Sequence, residues 1–354
     1  MTFYKSTEQS LISELANRYI HCLSNRRVIV NKVIIAIFLT LLMLCAGCLD
    51  GDSAVQEELV PNTSTAVDIT NVIFDNNNSS CLAYVGDYYA NPIDKSTNEV
   101  LPASVNISAT DDQCIIYSNG IPNHDFAVNG SFATKTAAVW ETFTIPINPQ
   151  IANQITALSL SYDNAVFLNG VKLDLLAAAC YGVGPDPLGK EKVGCFESDT
   201  PWRYDPMHPN NDFGEDDNHA HTQPDGAYHY HGDPASMYDT TGTTISAVIG
   251  YAADGFPIRG PFVEDNGTIR AIESGYVLRD GNRTNQDGEG DFPGGAWSGQ
   301  FRDDFHWQDG VGDLDQCNGR VVDGTYSYYV TFTYPWVIGC FVGTPDDSFR
   351  KGRA

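Results

Sequence analysis

The chain has 354 residues, of which 42% are hydrophobic and 11% aromatic, and its formal net charge is −25. This length and apolar content can support one large folded domain or two ordinary ones, which argues against a mainly disordered protein. The acidic balance repels nucleic acid and anionic lipid surfaces, so we expect no nucleic-acid partner.

A segment near the N-terminus has the order of an export signal. Basic residues at 25–32 precede an apolar run at 33–44, which is short for a membrane span. The following residues, Leu44 to Cys48, resemble a bacterial lipobox, in which the final cysteine carries lipid. We therefore expect 28–47 to be a lipoprotein-type signal peptide and Cys48 to be lipidated, with 1–27 an extended or mis-assigned start. A plain signal peptide cut near Ala46 or Gly47 is the alternative.

The remainder of the chain predicts a tether followed by one domain. Residues 48–70 are polar and acidic without a periodic face, which is typical of a flexible tether. Short apolar runs bounded by turn residues then predict a mostly β globular domain at 71–345, built as sandwich-like antiparallel sheets with long loops. Short helices are expected only at 148–158 and 174–182, and Asn169-Gly170 is a strong hairpin signal. Residues 346–354 are expected to form a polar tail.

Six cysteines follow Cys48 and predict three disulfides in an exported chain. Six cysteines allow many connectivities, of which pairing between sequence neighbours is the simplest. The neighbouring pairs are Cys81 with Cys114, Cys180 with Cys195, and Cys317 with Cys340.

Four of the eight histidines fall in the stretch 219–231, as two His-x-His pairs around Pro224-Asp225-Gly226. A three-residue bulged turn at Pro-Asp-Gly would set His221 opposite His229 and His219 opposite His231, with all four imidazoles on one face. Tyr228 and Tyr230 would then lie on the other face or line an adjoining pocket. A two-residue loop would instead place the two histidine pairs on opposite faces.

Imidazoles gathered on one face predict a transition-metal site, for which Zn or Cu is the best match. His208 is a further candidate ligand, while Asp254 and His124 are candidate catalytic bases. The loop at 279–292 is rich in Asp, Asn, Glu and Gly and could hold Ca, although its spacing departs from an EF-hand. The segment "DGAYHYH" at 225–231 also returns as "DGTYSYY" at 323–329, through either related hairpins packed side by side or coincidence.

Several motifs together resemble the YHYH-domain family of exported bacterial proteins. They are "SNGIPNH" at 118–124, "NHAHTQPDGAYHYHG" at 218–232, "GYAADGFPIRGPF" at 250–262 and the segment 314–341. The resemblance implies an exported protein without implying a particular activity. It also implies a histidine in place of Ser327, and often one near Arg320, so a second metal position of the relatives is in doubt here.

Two classes of function remain open from the sequence. The first is an extracytoplasmic, membrane-anchored metalloenzyme, either a hydrolase or an oxidoreductase, in which three histidines hold the metal and one position stays open. The second is a non-catalytic protein that sequesters metal or acts as a surface interaction or adhesion element. The small-molecule or protein partner is not identified by either hypothesis.

Overall fold

The computed structural model describes residues 65–184, 194–322 and 324–352. The expected tether up to residue 64, the signal segment at 28–47, Cys48 and residues 1–27 lie outside the described residues. All described residues belong to one compact unit, Pro61–Ala354. None of the helices in these three ranges is long and apolar enough to cross a bilayer.

The first large sheet has five strands in the order β1-β2-β5-β6-β7. Its neighbours pair antiparallel except for β1 and β2, which are parallel. The strands are β1 (Val67–Asp68), β2 (Gly86–Ala90), β5 (Ala103–Ala109), β6 (Gln113–Ser118) and β7 (Glu141–Pro146).

The second large sheet has eight strands in the order β11-β12-β10-β9-β13-β14-β20-β19. The expected Asn169-Gly170 hairpin joins β9 to β10 within it. The strands are β9 (Ala165–Phe167), β10 (Lys172–Leu173), β11 (Ala220–Thr222), β12 (Tyr228–Tyr230), β13 (Val248–Ala252), β14 (Pro257–Arg259), β19 (Gly319–Val322) and β20 (Thr325–Tyr329).

Four two-stranded ribbons and four short 3₁₀ helices complete the secondary structure of the described residues. The ribbons pair β3 (Ile93–Asp94) with β4 (Glu99–Val100), β8 (Thr156–Ala157) with β21 (Cys340–Phe341), β15 (Phe262–Asp265) with β16 (Thr268–Ala271), and β17 (Tyr276–Leu278) with β18 (Phe305–Trp307). The 3₁₀ helices are Cys81–Tyr84, Ala235–Met237, Arg302–Asp304 and Asp347–Phe349. The mostly β prediction is therefore confirmed, whereas 148–158 and 174–182 form no helix.

The two large sheets share one apolar core. Burial alternates along β5 and β6, so that each strand turns every second side chain inward, as a half-buried strand requires. Val105 and Ile107 of β5 join Val166 and Tyr230 of the second sheet in that core. The β9–β10 turn also presses on the first sheet, because a Cβ at Gly170 would lie 2.4 Å from Ser118 Cβ. Glycine is needed there for this close approach and for its φ of +79°.

The described residues contain three disulfides, and they join the sequence neighbours. Their partners are Cys81 and Cys114, Cys180 and Cys195, and Cys317 and Cys340. The predicted number and the simplest connectivity are both present.

The folded region extends beyond both boundaries expected from the sequence. Val67–Asp68 pairs with β2, and Ile69 is buried. At the other end Phe349 is fully buried, and the Lys351 N–H donates to the Ser161 carbonyl at 2.9 Å. These residues were assigned to a tether and a tail because their sequence is polar, but their few apolar side chains dock into the core.

The eight-stranded sheet consists of two halves with the same connectivity. Each half begins with an antiparallel hairpin, β9–β10 or β13–β14, and β9 pairs with β13 at the centre. A later hairpin, β11–β12 or β19–β20, joins each half through parallel pairing of its second strand. The two later hairpins therefore form the opposite edges of the sheet rather than packing side by side.

Equivalent side-chain contacts in the two edge hairpins show that they are related. The Tyr228 hydroxyl donates to the Asp216 carboxylate at 2.9 Å in one hairpin, and the Tyr326 hydroxyl donates to Asp315 at 3.1 Å in the other. In both cases the aspartate precedes the hairpin, and the tyrosine is the first or second residue of its second strand. The repeated sequence segments thus correspond to a structural repeat.

Candidate metal centre

The β11–β12 hairpin adopts the register that places two histidines opposite each other. His221 pairs with His229, and the Gln223 N–H donates to the Ala227 carbonyl at 2.9 Å. Gly226 closes the turn with a φ of +92°, a conformation that glycine adopts without steric cost. The turn chemistry of Pro-Asp-Gly therefore sets the geometry that the sequence predicted.

Three histidines, His221, His229 and His231, converge and are called the histidine triad below. His231 Nε2 lies 3.1 Å from His229 Nε2 and 3.0 Å from His221 Nε2. All three residues are buried. Across the three described ranges, they form the one group of His, Cys, Asp or Glu residues whose ligand atoms all lie within 4.8 Å.

His219 does not join the triad, so the expectation of four imidazoles on one face is wrong at this position. Its φ of +56° leaves the strand conformation, and its Nδ1 lies 2.8 Å from the Asp233 carbonyl. Its own carbonyl accepts from the His231 N–H at 2.8 Å. The other edge hairpin has the same arrangement at Asn318, where φ is +66° and the carbonyl accepts from the Tyr329 N–H. The structural repeat fixes this left-handed residue at the start of the hairpin.

The environment keeps imidazole lone pairs directed at one point. Burial lowers the pKa of His229 and His231 well below the usual range, and neighbouring imidazoles act in the same direction. His221 Nδ1 lies 2.6 Å from the Phe213 carbonyl, and His229 Nδ1 lies 3.4 Å from the Ala227 carbonyl. A carbonyl can only accept, so each of these Nδ1 atoms carries the proton and leaves a lone pair on Nε2.

The donor set fits a transition metal. Neutral imidazoles bind Zn at about 2.0–2.1 Å, and two ligands of a tetrahedral ion at that distance are about 3.3 Å apart. The 3.0 and 3.1 Å separations between Nε2 atoms approach this value. Carbonyl partners on the outer nitrogens are the usual device that orients metal-binding histidines. A single N–H at His231 Nε2 can donate a well-aligned hydrogen bond to only one of the other two Nε2 atoms. A cation would instead bind the lone pairs of all three Nε2 atoms.

A cavity of about 450 Å³ adjoins the triad. The triad forms part of its wall, and the half-exposed Lys351 and the exposed Phe196 connect it to the surface. The other lining residues are mainly apolar and include Leu160, Leu176, Ala177, Ala178 and Phe213. A metal at the triad would therefore face a hollow rather than a fourth histidine.

A partly buried ionic network borders the cavity. The Lys351 ammonium contacts the Asp174 carboxylate and lies 3.8 Å from Asp163. The Lys172 ammonium lies 2.7 Å from Glu141 and 3.9 Å from Asp163. Burial raises the pKa of Asp163 to about 7, against the opposing effect of the two lysines. Charges therefore alternate in sign through this network.

Sequence reasoning missed Asp174 and Lys351 as cavity residues. Lys172, Leu173 and Asp174 alternate polar, apolar and polar, and parallel pairing places Lys172 beside His229. This alternation signalled a polar strand face next to the histidines, but a helix was expected over 174–182. No sequence pattern indicated Lys351, because only the folding of the C-terminal segment brings it to the cavity.

His124, Tyr228 and Tyr230 belong to the opposite face of the hairpin and do not line the cavity. His124 Nε2 lies 2.6 Å from the Tyr230 hydroxyl, and burial lowers the pKa of His124 to about 4. Both tyrosines are fully buried in the core between the sheets. Strand alternation directs them away from the triad, so the structure does not bring the candidate base His124 to it.

Asp254 and His208 are also separate from the triad. Asp254 is buried at the β13–β14 turn, where its Oδ2 accepts from the Tyr328 hydroxyl at 2.6 Å and the Gly343 N–H at 2.9 Å. Burial raises the pKa of Asp254 to about 6. The Nδ1 of His208 accepts from the Asn210 N–H at 3.2 Å. The structure thus places Asp254 in the β13–β14 turn, where its carboxylate bonds to Tyr328 and Gly343.

The oxygen-rich loop at 279–292 brings no three carboxylates together among its described side chains. Arg283 instead forms an ion pair with the buried Asp304 at 2.6 Å. The structure therefore adds no support to calcium binding at this loop.

A protein-family model described as YHYH protein matches residues 142–343. The match covers more than half of the chain, and it contains the whole eight-stranded sheet with both edge hairpins. No curated protein and no solved structure matches the chain.

Proposed function

The chain belongs to the YHYH protein family, and we propose that it is an extracytoplasmic protein whose histidine triad holds a transition metal, Zn or Cu, for catalysis. The observation that carries the proposal is the convergence of three buried Nε2 atoms at the wall of a cavity. Three protein ligands with an open position are typical of catalytic metal sites, whereas closed structural sites use four.

The side chains around the triad suit a metal-dependent hydrolase or oxidoreductase. A metal bound by three imidazoles supplies an acidified water or an open coordination position for a substrate atom. The carbonyls of Phe213 and Ala227 hold two of the rings in the ligating tautomer. The apolar walls limit water around that position, which strengthens electrostatic interactions with a bound molecule.

Sequestration is the weaker alternative. A protein that only stores metal benefits from a fourth ligand, and His219 is turned toward the Asp233 carbonyl instead. Metal storage also does not require a cavity on the open side of the triad. Both observations favour a centre at which a second molecule binds.

We also propose export and anchoring by lipid on Cys48. The support is the order of basic, apolar and small residues at 25–48. Three disulfides suit an oxidising compartment outside the cytoplasm.

Metal content of purified full-length variants tests the function. The wild-type chain is expected to carry about one equivalent of metal, and the double variant His229→Ala, His231→Ala is expected to lose it, because one imidazole does not hold the ion. Elemental analysis gives the content, and circular dichroism verifies that the variant is folded.

The matched control is His219→Ala, which removes a neighbouring histidine that does not point at the triad. It should keep the metal. Equal metal content in the double variant and the wild type, or loss only in His219→Ala, would remove the triad from the site.

A further inference from the structure

Polar and apolar residues both line the cavity beside the triad. The polar ones include the triad, Asp174 and Lys351, and the apolar ones include Leu160, Leu176 and Phe196. A volume of about 450 Å³ lies in the range of small-molecule sites. We therefore expect a small ligand that contacts both kinds of residue.

The charges beside the triad argue against an anionic group on the body of the ligand. Among the residues that the structure describes, Lys351 is the one lysine that lines the cavity, and it is already paired with the Asp174 carboxylate, while Asp225 adds a second lining carboxylate. The whole chain carries a net charge of −25, which repels anions at long range. The metal cation would favour negative charge only at the atom that binds it, whereas an anionic body would have to displace Asp174 from Lys351.

We propose that the cavity binds a small molecule with a neutral aromatic or aliphatic body. The body lies against Phe196, Leu160 and Leu176, and a compact polar head reaches the open side of the triad. This inference deepens the proposed function and rests on the metal centre being present.

The test uses Co²⁺ as the metal and hydroxamic acids as ligands. The full-length chain is loaded with Co²⁺, and its visible spectrum reports both occupancy of the triad and changes in coordination. Benzohydroxamic acid, acetohydroxamic acid and a hydroxamic acid with a carboxylate tail are then titrated separately. The aromatic probe is expected to bind at least about tenfold more tightly than the methyl probe, because the ring buries more apolar surface. The carboxylate probe should bind most weakly.

Phe196→Ser tests contact between the ligand and the apolar lining residues, and Phe332→Ser is its matched control. Both phenylalanines are exposed, but only Phe196 lines the cavity. Phe196→Ser should weaken the aromatic probe about three- to tenfold and leave the methyl probe unchanged, since a single edge of the ring loses its contact. Phe332→Ser should change neither.

The outcomes separate the two proposals. No Co²⁺ spectrum in the wild-type chain would overturn the metal centre, and the inference with it. A Co²⁺ spectrum with equal affinities for the aromatic and methyl probes would overturn the inference alone. Tightest binding of the carboxylate probe, or equal effects of the two phenylalanine substitutions, would do the same.

Discussion

The role of His124 is set by its surroundings. It is buried behind the site hairpin, with its Nδ1 2.8 Å from the Asp125 carbonyl and its Nε2 2.6 Å from the Tyr230 hydroxyl. Because a carbonyl can only accept, Nδ1 carries the proton and donates to it, and the unprotonated Nε2 accepts from the tyrosine hydroxyl. Burial of this neutral ring lowers its pKa to about 4. The ring therefore links the hairpin to the segment that follows β6.

This environment predicts a loss of stability in acid. An unfolded histidine titrates near 6.5 and folded His124 near 4, so the native state binds fewer protons between these values. Its stabilising contribution is present above pH 6.5 and falls as pH drops toward 4, by about 3 kcal/mol. His124→Gln should remove this part of the loss, as measured by denaturant unfolding across that pH range.

His208→Gln is the control for that experiment, because His208 is only half-buried and bonds to the neighbouring Asn210 N–H. It should leave the acid loss of stability in place. His229 and His231 also have lowered pKa values, so the comparison rests on the difference between each variant and the wild type. An unchanged slope in His124→Gln would contradict the burial argument.

The two edge hairpins are the elements that decide the site, and their turns differ in surroundings. Gly226 and Gly324 both have positive φ, at +92° and +79°. A Cβ on Gly226 would lie 2.8 Å from Ala137 Cβ and 2.9 Å from the Lys135 carbonyl, whereas a Cβ on Gly324 would meet no described atom within 4 Å. The site hairpin is thus pressed against the 135–137 segment, and the other hairpin turn is open.

Alanine at the two glycines separates crowding from backbone strain. Gly324→Ala should lower the free energy of unfolding by about 1 kcal/mol, since only the left-handed conformation is penalised. Gly226→Ala adds backbone crowding, so a loss of about 2–3 kcal/mol and a weaker hold on metal are expected. Denaturant unfolding and metal titration measure the two effects. Equal losses in both variants would show that contact with 135–137 does not shape the site hairpin.

Local patterns in the sequence were sufficient for the site hairpin and insufficient for its surroundings. Pro224-Asp225-Gly226 fixed the register, and period-two alternation correctly grouped His221, His229 and His231. The orientation of His219 was not predicted, because its left-handed φ depends on the backbone hydrogen bond to His231. Asp174 and Lys351 were not predicted as cavity residues. Their positions depend on parallel strand pairing and on docking of the C-terminal segment, which are non-local contacts that no sequence periodicity encodes.

At the scale of the whole molecule, the family match and the sheets divide the chain differently. Residues 142–343 contain the eight-stranded sheet, but most of the five-stranded sheet precedes that range. The first sheet nevertheless covers the apolar face of the second, including Tyr230 behind the triad. Glu141 and Lys351, which belong to the ionic network at the cavity, also lie outside the match. The site is therefore completed by segments that flank the family region.

The proposed anchoring concerns the whole chain, because it would decide where the folded unit acts. The order of residues at 25–48 predicts lipid on Cys48. Cys48→Ser should abolish incorporation of labelled fatty acid and move the protein from the membrane fraction to the soluble extracytoplasmic fraction or leave it unprocessed. Its metal content should stay unchanged, because Cys48 lies outside the domain that carries the triad. A wild-type chain that takes up no label and fractionates as soluble protein would instead establish the plain signal peptide, cut near Ala46 or Gly47.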